Sequence, residues 1–162
     1  KGQFRLIKCF ERLWKEDNSI YLIIIGGRGE LYEQIVDYVS KLECKNNIVT
    51  INNVKNPYAI MSKCDYFVLS SFYEGFGLVL AEANICGLPI ISTDIDGPKK
   101  FMEKHNGILV ENSNDGIYEG MKKLLANEIK IIDVDYKEYN KQAVNQFEKL
   151  LKREENKKWK EY

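Results

Sequence analysis

The sequence predicts an α/β protein, a doubly wound parallel sheet with helices on both faces, and three observations predict it. Short apolar runs such as Tyr21-Leu22-Ile23-Ile24-Ile25 and Ile48-Val49-Thr50-Ile51 punctuate the chain. They alternate with stretches whose apolar residues recur every three or four positions, the helical period. A glycine loop, Glu74-Gly75-Phe76-Gly77, joins one such run to one such helical stretch. Continuous apolar strands belong in a sheet covered on both sides, which is the parallel case.

Residues 3 to 15 read as a helix, with Phe4, Ile7, Phe10 and Trp14 on one line and Arg5, Lys8, Glu11 and Arg12 between them. Asp17-Asn18-Ser19 breaks it. The run from Tyr21 to Ile25, closed by Gly26-Gly27, predicts a strand buried on both faces. A second helix starts near Gly29 and sets Leu31, Ile35, Val39 and Leu42 on one side. Ile48 to Ile51 is a short strand. Pro57 suits a first helical turn and opens a short helix through Tyr58, Ile60 and Met61. Tyr66-Phe67-Val68-Leu69 is the strand before the glycine loop. The helix after it carries an apolar line of Leu78, Leu80, Ala81 and Ile85, and Gly87 ends it. Pro89-Ile90-Ile91-Ser92 begins a fifth unit, Gly97-Pro98 a short helical piece, and Ile108-Leu109-Val110 a last strand. Ser113, Asn114 and Asp115 can cap a helix bearing Ile117, Met121, Leu124 and Leu125. A long helix follows over 136–162, with Val144, Phe147 and Leu151 as its apolar line and a highly charged end. No internal repeat or linker divides the chain, so residues 1–162 read as one domain.

Bulk properties narrow the function. At 162 residues, 44% apolar and 30% charged, the chain can bury a core as an ordinary globular domain. The 24 basic and 24 acidic residues cancel, so nothing favours a nucleic-acid partner, which would normally leave a basic face and a high pI. Cys9, Cys44, Cys64 and Cys86 are widely separated and lie in or beside apolar stretches, so they read as reduced thiols of a cytoplasmic protein. No apolar run reaches the ~18 residues of a membrane span, and no signal-peptide pattern is visible. Peripheral membrane contact needs neither.

The order of elements says where a ligand belongs. The chain opens on a helix with no strand before it. If the visible strands are the second to sixth of a sheet ordered 3-2-1-4-5-6, the first, central strand is missing. The expectation is a fragment whose parent chain continues upstream. Ligands then sit between the carboxyl ends of strands one and four. The glycine loop follows strand four, and Lys1 would follow strand one. Such a loop offers backbone N–H groups to an anion, yet Glu74 and Glu82 would repel a bare phosphate. The pattern points to a ligand with both phosphate and hydroxyl groups, such as a nucleotide-sugar.

The stretch Glu74-Gly75-Phe76-Gly77-Leu78, followed by Glu82 with seven residues between the acids, resembles the hallmark of the GT-B glycosyltransferases, specifically the donor-binding C-terminal domain of the large retaining family four. Lys1-Gly2, Gly26-Gly27-Arg28-Gly29-Glu30, Gly87-Leu88-Pro89-Ile90-Ile91 and Asn106-Gly107-Ile108-Leu109-Val110 resemble other conserved turns of that family in order, so the likeness covers about residues 1 to 126. The resemblance implies a Rossmann-like domain, one half of a GT-B enzyme. It implies that Glu82 accepts hydrogen bonds from the ribose hydroxyls, since a carboxylate offers a cis-diol two acceptors in one plane. Glu74 would hold hydroxyls of the transferred sugar. The loop of Gly75 and the amides of Phe76, Gly77 and Leu78 would contact diphosphate and sugar. Lys1 would neutralise charge on the leaving diphosphate, and the segment Asn53-Val54 would meet the base.

The same resemblance implies no metal, no cofactor and no enzymic nucleophile, with retention assisted by the leaving phosphate. It implies as partners a nucleotide-sugar donor and an N-terminal Rossmann domain of the same chain that supplies the acceptor site, with the enzyme at the inner face of a bacterial membrane making surface polysaccharide. One stretch departs from the family pattern. After the fifth strand the usual two glycines and acid become Asp96-Gly97-Pro98-Lys99-Lys100, which leaves the donor open. Arg28 could meet an anion. Phe72 and Tyr73 read as packing and loop-shaping aromatics, and His105 as a surface residue. Two other readings stand beside this one: a GT-B type nucleotide-sugar 2-epimerase, and a non-catalytic phosphate-binding or regulatory α/β domain.

Overall fold

Strand and helix alternate throughout the computed structural model, which describes residues 1–27, 29–75, 77–103 and 107–126. All of these fall within one unit, Lys1–Ile132. The elements are α1 (Gln3–Trp14), β1 (Leu22–Ile25), α2 (Glu30–Ser40), β2 (Ile48–Ile51), α3 (Tyr58–Met61), β3 (Phe67–Leu69), α4 (Leu78–Ile85), β4 (Ile90–Thr93), α5 (Asp96–Met102), β5 (Ile108–Val110) and α6 (Asn114–Leu125). A 3-10 turn, Glu43–Asn47, leads into β2. The helix expected over 136–162, with Val144, Phe147 and Leu151, lies outside the described residues, as do the sequence readings of Arg28, His105 and Asn106.

Every strand pairing is parallel. β1 pairs with β2, placing Leu22 opposite Ile48. β3 pairs with β4 and β4 with β5, placing Phe67 opposite Ile90 and Ile91 opposite Ile108. No ladder joins β1 to β3 among the described residues, so the sheet stands in two parts, β1-β2 and β3-β4-β5. The split falls where the order 3-2-1-4-5-6 puts its first strand.

A shared core holds both parts. Ile7, Phe10 and Leu13 of α1 pack in one cluster with Ile24 and Ile48 of the first sheet and with Ile91 and Val110 of the second. Ile117 and Leu124 of α6 complete it. The second cluster joins Met61, Leu69, Leu80, Ala83, Ile90 and Met102, from α3, α4 and α5 against the sheet. Ile90 and Ile91 are neighbours in β4 and feed different clusters, as alternation along a strand requires. All four residues of β4 are buried. Helices cover β4 on both sides, which is the doubly wound arrangement.

Three expectations need correction. β1 is not buried on both faces: Ile23 is 39% exposed and stands opposite Val49, 45% exposed, while Tyr21 lies outside the strand at 70%. The core takes only the Ile24 and Ile48 side, and no described helix covers the other. In α2, Ile35 and Val39 are buried but Leu31 is 52% exposed. Periodicity identifies a stripe, and the neighbouring elements cover only its later part. In α4 the buried residues are Leu80, Ala83 and Asn84, whereas Leu78 and Ile85 are 74% and 63% exposed. That helix is apolar nearly all round, so its own pattern does not choose a face and packing on β4 does.

Cys9 and Cys44 are buried, Cys64 and Cys86 half-buried, and all four are free. Burial is the main cause raising each thiol above its ordinary pKa. No helix among the described residues is long and apolar enough to cross a membrane. Ile91 is fully buried in the cluster shared by both sheets. Ile91→Ala should therefore cost about 2–5 kcal/mol, read as a lower urea midpoint, and a loss below about 1 kcal/mol would contradict this packing.

Candidate functional site

The site begins where β3 ends. Ser70 and Ser71 follow Leu69 and are both buried. The Ser70 hydroxyl donates to the Gly2 carbonyl at 3.1 Å and lies 3.4 Å from that of Lys1. Gly2 has φ +74°, and a methyl group on it would run into the Ser70 carbonyl oxygen. Only glycine lets the backbone come this close with that φ. Lys1 is thereby placed beside the loop, and its Nζ meets Glu74 Oε2 at 2.5 Å. The Ser71 hydroxyl lies 3.5 Å from the same oxygen. Thr93 at the end of β4 donates to the Ser71 carbonyl at 2.7 Å.

The loop is packed from its other side too. Gly77 caps α4, and its carbonyl accepts from the Leu80 N–H at 2.8 Å. Gly97, in the first turn of α5, lies against Gly75 so closely that any side chain would meet the Gly75 carbonyl. The departure from the family pattern, Asp96-Gly97-Pro98, is thus built into the loop's own wall.

A cleft of about 640 Å³ opens at this corner. Lys1, Phe72, Tyr73, Glu74 and Gly75 line part of it, and Asp94, Ile95, Asp96 and Asn112 the rest. These are the segments just past the carboxyl ends of β3, β4 and β5, where open α/β sheets bind ligands. Asp94 pairs with Lys99 at 3.3 Å. The Lys1–Glu74 pair has side-chain exposures of 58% and 16%. Lys1 is open to water while Glu74 is mostly covered, so Lys1 is the partner free to turn toward a ligand.

The structure brings together some of the expected site residues and not others. Lys1, Glu74 and Gly75 meet in the cleft. Glu82 does not line it: its Oε1 accepts from the Tyr58 hydroxyl of α3 at 3.1 Å. Val54 is half-buried in the segment between β2 and α3. Leu78 opens α4 without lining the cleft, Gly77 is buried, and Phe76 lies outside the described residues.

Sequence reasoning missed Tyr58, Asp94, Asn112 and Arg5. Tyr58 is expected only as a residue of the short helix after Pro57, and it is 47% exposed; an aromatic just after Pro57 in so short a helix is the available signal. Tyr73, expected to pack, is 91% exposed. Phe72 does pack, though on a charge, with its ring centroid 4.4 Å from the Arg5 guanidinium carbon. Burial lowers the Arg5 pKa from its usual value.

Against known proteins, residues 1–143 match the family described as Glycosyl transferases group 1. The chain belongs to that family. Among its relatives is the Campylobacter jejuni N-acetylgalactosamine-N,N'-diacetylbacillosaminyl-diphospho-undecaprenol 4-alpha-N-acetylgalactosaminyltransferase, 29% identical over 79% of this chain and 35% of that protein. The Staphylococcus aureus poly(ribitol-phosphate) alpha-N-acetylglucosaminyltransferase is 32% identical over 67% of this chain and 22% of its own length. Among solved structures, the crystal structure of TarM superposes with a TM-score of 0.66 at 31% identity, over 78% of this chain and 25% of that one. The chain thus spans about a third or less of the proteins it resembles.

The Tyr58–Glu82 contact gives this group 1 glycosyltransferase chain a pH signature. Donation to the Glu82 carboxylate, and then that group's charge, raise the Tyr58 pKa above the usual tyrosine value. The bond is intact at neutral pH and is lost as pH rises through the raised pKa. In Glu82→Gln the charge is gone, so Tyr58 should ionise at lower pH than in the parent protein. An NMR titration of the Tyr58 ring measures this, and identical curves for both proteins would show that the contact does not form.

Proposed function

We propose that this chain is the donor-binding half of a retaining, metal-independent glycosyltransferase that uses a nucleoside-diphosphate sugar. The observation that carries the reading is the Lys1–Glu74 pair, 2.5 Å apart in a cleft at the carboxyl ends of the strands. A phosphate compound alone would have no use for the acceptor oxygens of Glu74, Asp94 and Asp96. A neutral sugar would have no use for Lys1. A nucleotide-sugar presents diphosphate and hydroxyls within one molecule and uses both.

On this reading Lys1 turns from Glu74 to the diphosphate, and Glu74 accepts from hydroxyls of the transferred sugar. The loop from Gly75, with the amides of Phe76, Gly77 and Leu78, meets the diphosphate and sugar. Glu82, one oxygen already engaged by Tyr58, takes the ribose hydroxyls. Val54 lies beside the base. On this reading the ligand runs from the cleft toward Glu82.

In the reaction the bond from the anomeric carbon to the diphosphate oxygen breaks. The acceptor hydroxyl forms its bond on the same face and passes its proton to the departing phosphate. Lys1 stabilises the negative charge that grows on the leaving group. Glu74 binds hydroxyls and is no nucleophile. With Lys1 and backbone amides opposing the phosphate charge, no metal ion or cofactor is required. The acceptor site and a second Rossmann domain come from the rest of the protein. Both relatives are named for α-transfer, and one for a diphospho-undecaprenol-linked acceptor. They support a role in bacterial surface glycan synthesis.

Calorimetric titration of the full-length protein with UDP-, GDP-, ADP- and CDP-linked sugars tests the donor site. One of them should bind, and no binding at millimolar concentration rejects the reading. For the donor that binds, Glu82→Ala should lose about 1–3 kcal/mol of affinity; unchanged affinity removes Glu82 from the ribose. Transfer should continue at the same rate after chelation with EDTA, and activity restored only by a divalent ion would refute metal independence.

A further inference from the structure

Arg5 is a buried charge whose position calls for an explanation. It is 5% exposed, and none of the ion pairs among the described residues involves it. Its Nη1 donates to Asn112 Oδ1 at 2.6 Å, and its Nε is buried with no partner. One face of the guanidinium lies against the Phe72 ring. A buried cation without a carboxylate is costly, and a cation–π contact and one amide bond offset only part of that. Both neighbours that cover Arg5, Phe72 and Asn112, line the cleft. The charge therefore lies one layer beneath the candidate site.

What the arrangement does follows from donor and acceptor chemistry. A guanidinium has only donors, so the Asn112 atom facing it must be the oxygen. The amide nitrogen is then turned the other way. Among the described residues it makes only a long contact, 3.4 Å, with the Phe72 carbonyl, in exposed surroundings, which leaves its second hydrogen for another acceptor. Among the other polar side chains lining the cleft, Glu74, Asp94 and Asp96 are carboxylates that accept and cannot donate, which leaves Lys1 and the exposed Tyr73 hydroxyl as the donors beside Asn112. A sugar hydroxyl both donates and accepts. It can give its hydrogen to a carboxylate, but its lone pairs need a donor, and Lys1 is already directed to Glu74 and, with ligand bound, to phosphate.

We propose that Asn112 is a specificity-determining donor to a hydroxyl or carbonyl oxygen of the transferred sugar, and that Arg5 is the positioning residue that fixes its orientation. This rests on the donor-site reading above and names which residues beyond the glycine loop read the sugar. It also assigns a purpose to a charge that the fold itself does not need.

The test compares binding of matched pairs to the full-length protein: UDP with UDP-N-acetylglucosamine, GDP with GDP-mannose, and ADP with ADP-glucose. In the parent protein one sugar conjugate should bind more tightly than its nucleotide alone. Asn112→Asp keeps a partner for Arg5 and so keeps the fold, but it exchanges the donor for an acceptor. Arg5→Met removes the buried charge and frees the amide to turn. Both should lose the sugar's share of affinity, about tenfold, while affinity for the bare nucleotide stays within about twofold. Arg5→Met should melt no lower than the parent, because an unpaired buried charge has been removed. Retention of the sugar's share in either variant overturns the proposal. So does equal loss for nucleotide and conjugate together with a lower melting temperature, which would mark Arg5 as merely structural. If the parent binds nucleotides but favours no conjugate, this inference fails alone. If the parent binds none of the six compounds, the donor-site reading fails with it.

Discussion

Ser70, just past the end of β3, sets its carbonyl so close to Gly2 that no side chain fits between them, and its hydroxyl bonds back to the Gly2 carbonyl. That contact joins the first residues of the chain to a strand end almost seventy positions later. The rest of the site depends on it. It fixes where α1 starts, and so where Arg5 enters beneath Phe72 and Asn112. It sets Lys1 within reach of Glu74. A second close approach, Gly97 on Gly75, holds the loop from the opposite direction. Between them the two contacts leave the loop little freedom, which is what a preorganised binding surface requires.

The site's electrostatics are arranged in layers. At the surface, carboxylates and one lysine face water, where their mutual attraction is weak and exchangeable. Beneath them lies Arg5, shielded from solvent and therefore able to act more strongly on its neighbours. The exposed groups can change partners when a ligand arrives. The buried one cannot, and it holds Asn112 in a single orientation. A cleft for a ligand that is anionic at one point and polyhydroxylated at another needs both kinds of group.

The two-part sheet shows how far a core can substitute for a hydrogen-bonded ladder. β1-β2 and β3-β4-β5 share no ladder among the described residues, yet residues of both lie in one buried cluster with α1 and α6. Buried side chains, through Ile24 and Ile48 on one part and Ile91 and Val110 on the other, do the joining. Backbone groups along the split have no strand partner among the described residues, whereas β4, paired on both edges and covered on both faces, is buried throughout.

The sequence by itself determined the element order, the parallel fold class, the loop at the strand-order reversal and the family. These are local or periodic properties. Alternation of apolar runs, the helical recurrence of Ile7 and Phe10, and the stretch from Glu74 to Glu82 are written in neighbouring residues. What only the tertiary structure decided is which side of each element is buried and which distant groups meet. Leu78 and Ile85 look as apolar as Leu80, and packing against β4 separates them. Lys99 has no partner legible in the sequence, and the fold sets Asp94 beside it. Tyr58 reaches Glu82 from another helix. Arg5 and Asn112 stand 107 positions apart, and nothing in either neighbourhood announces the pair. A charge is legible in sequence, but its desolvation and its partner are properties of the folded space around it.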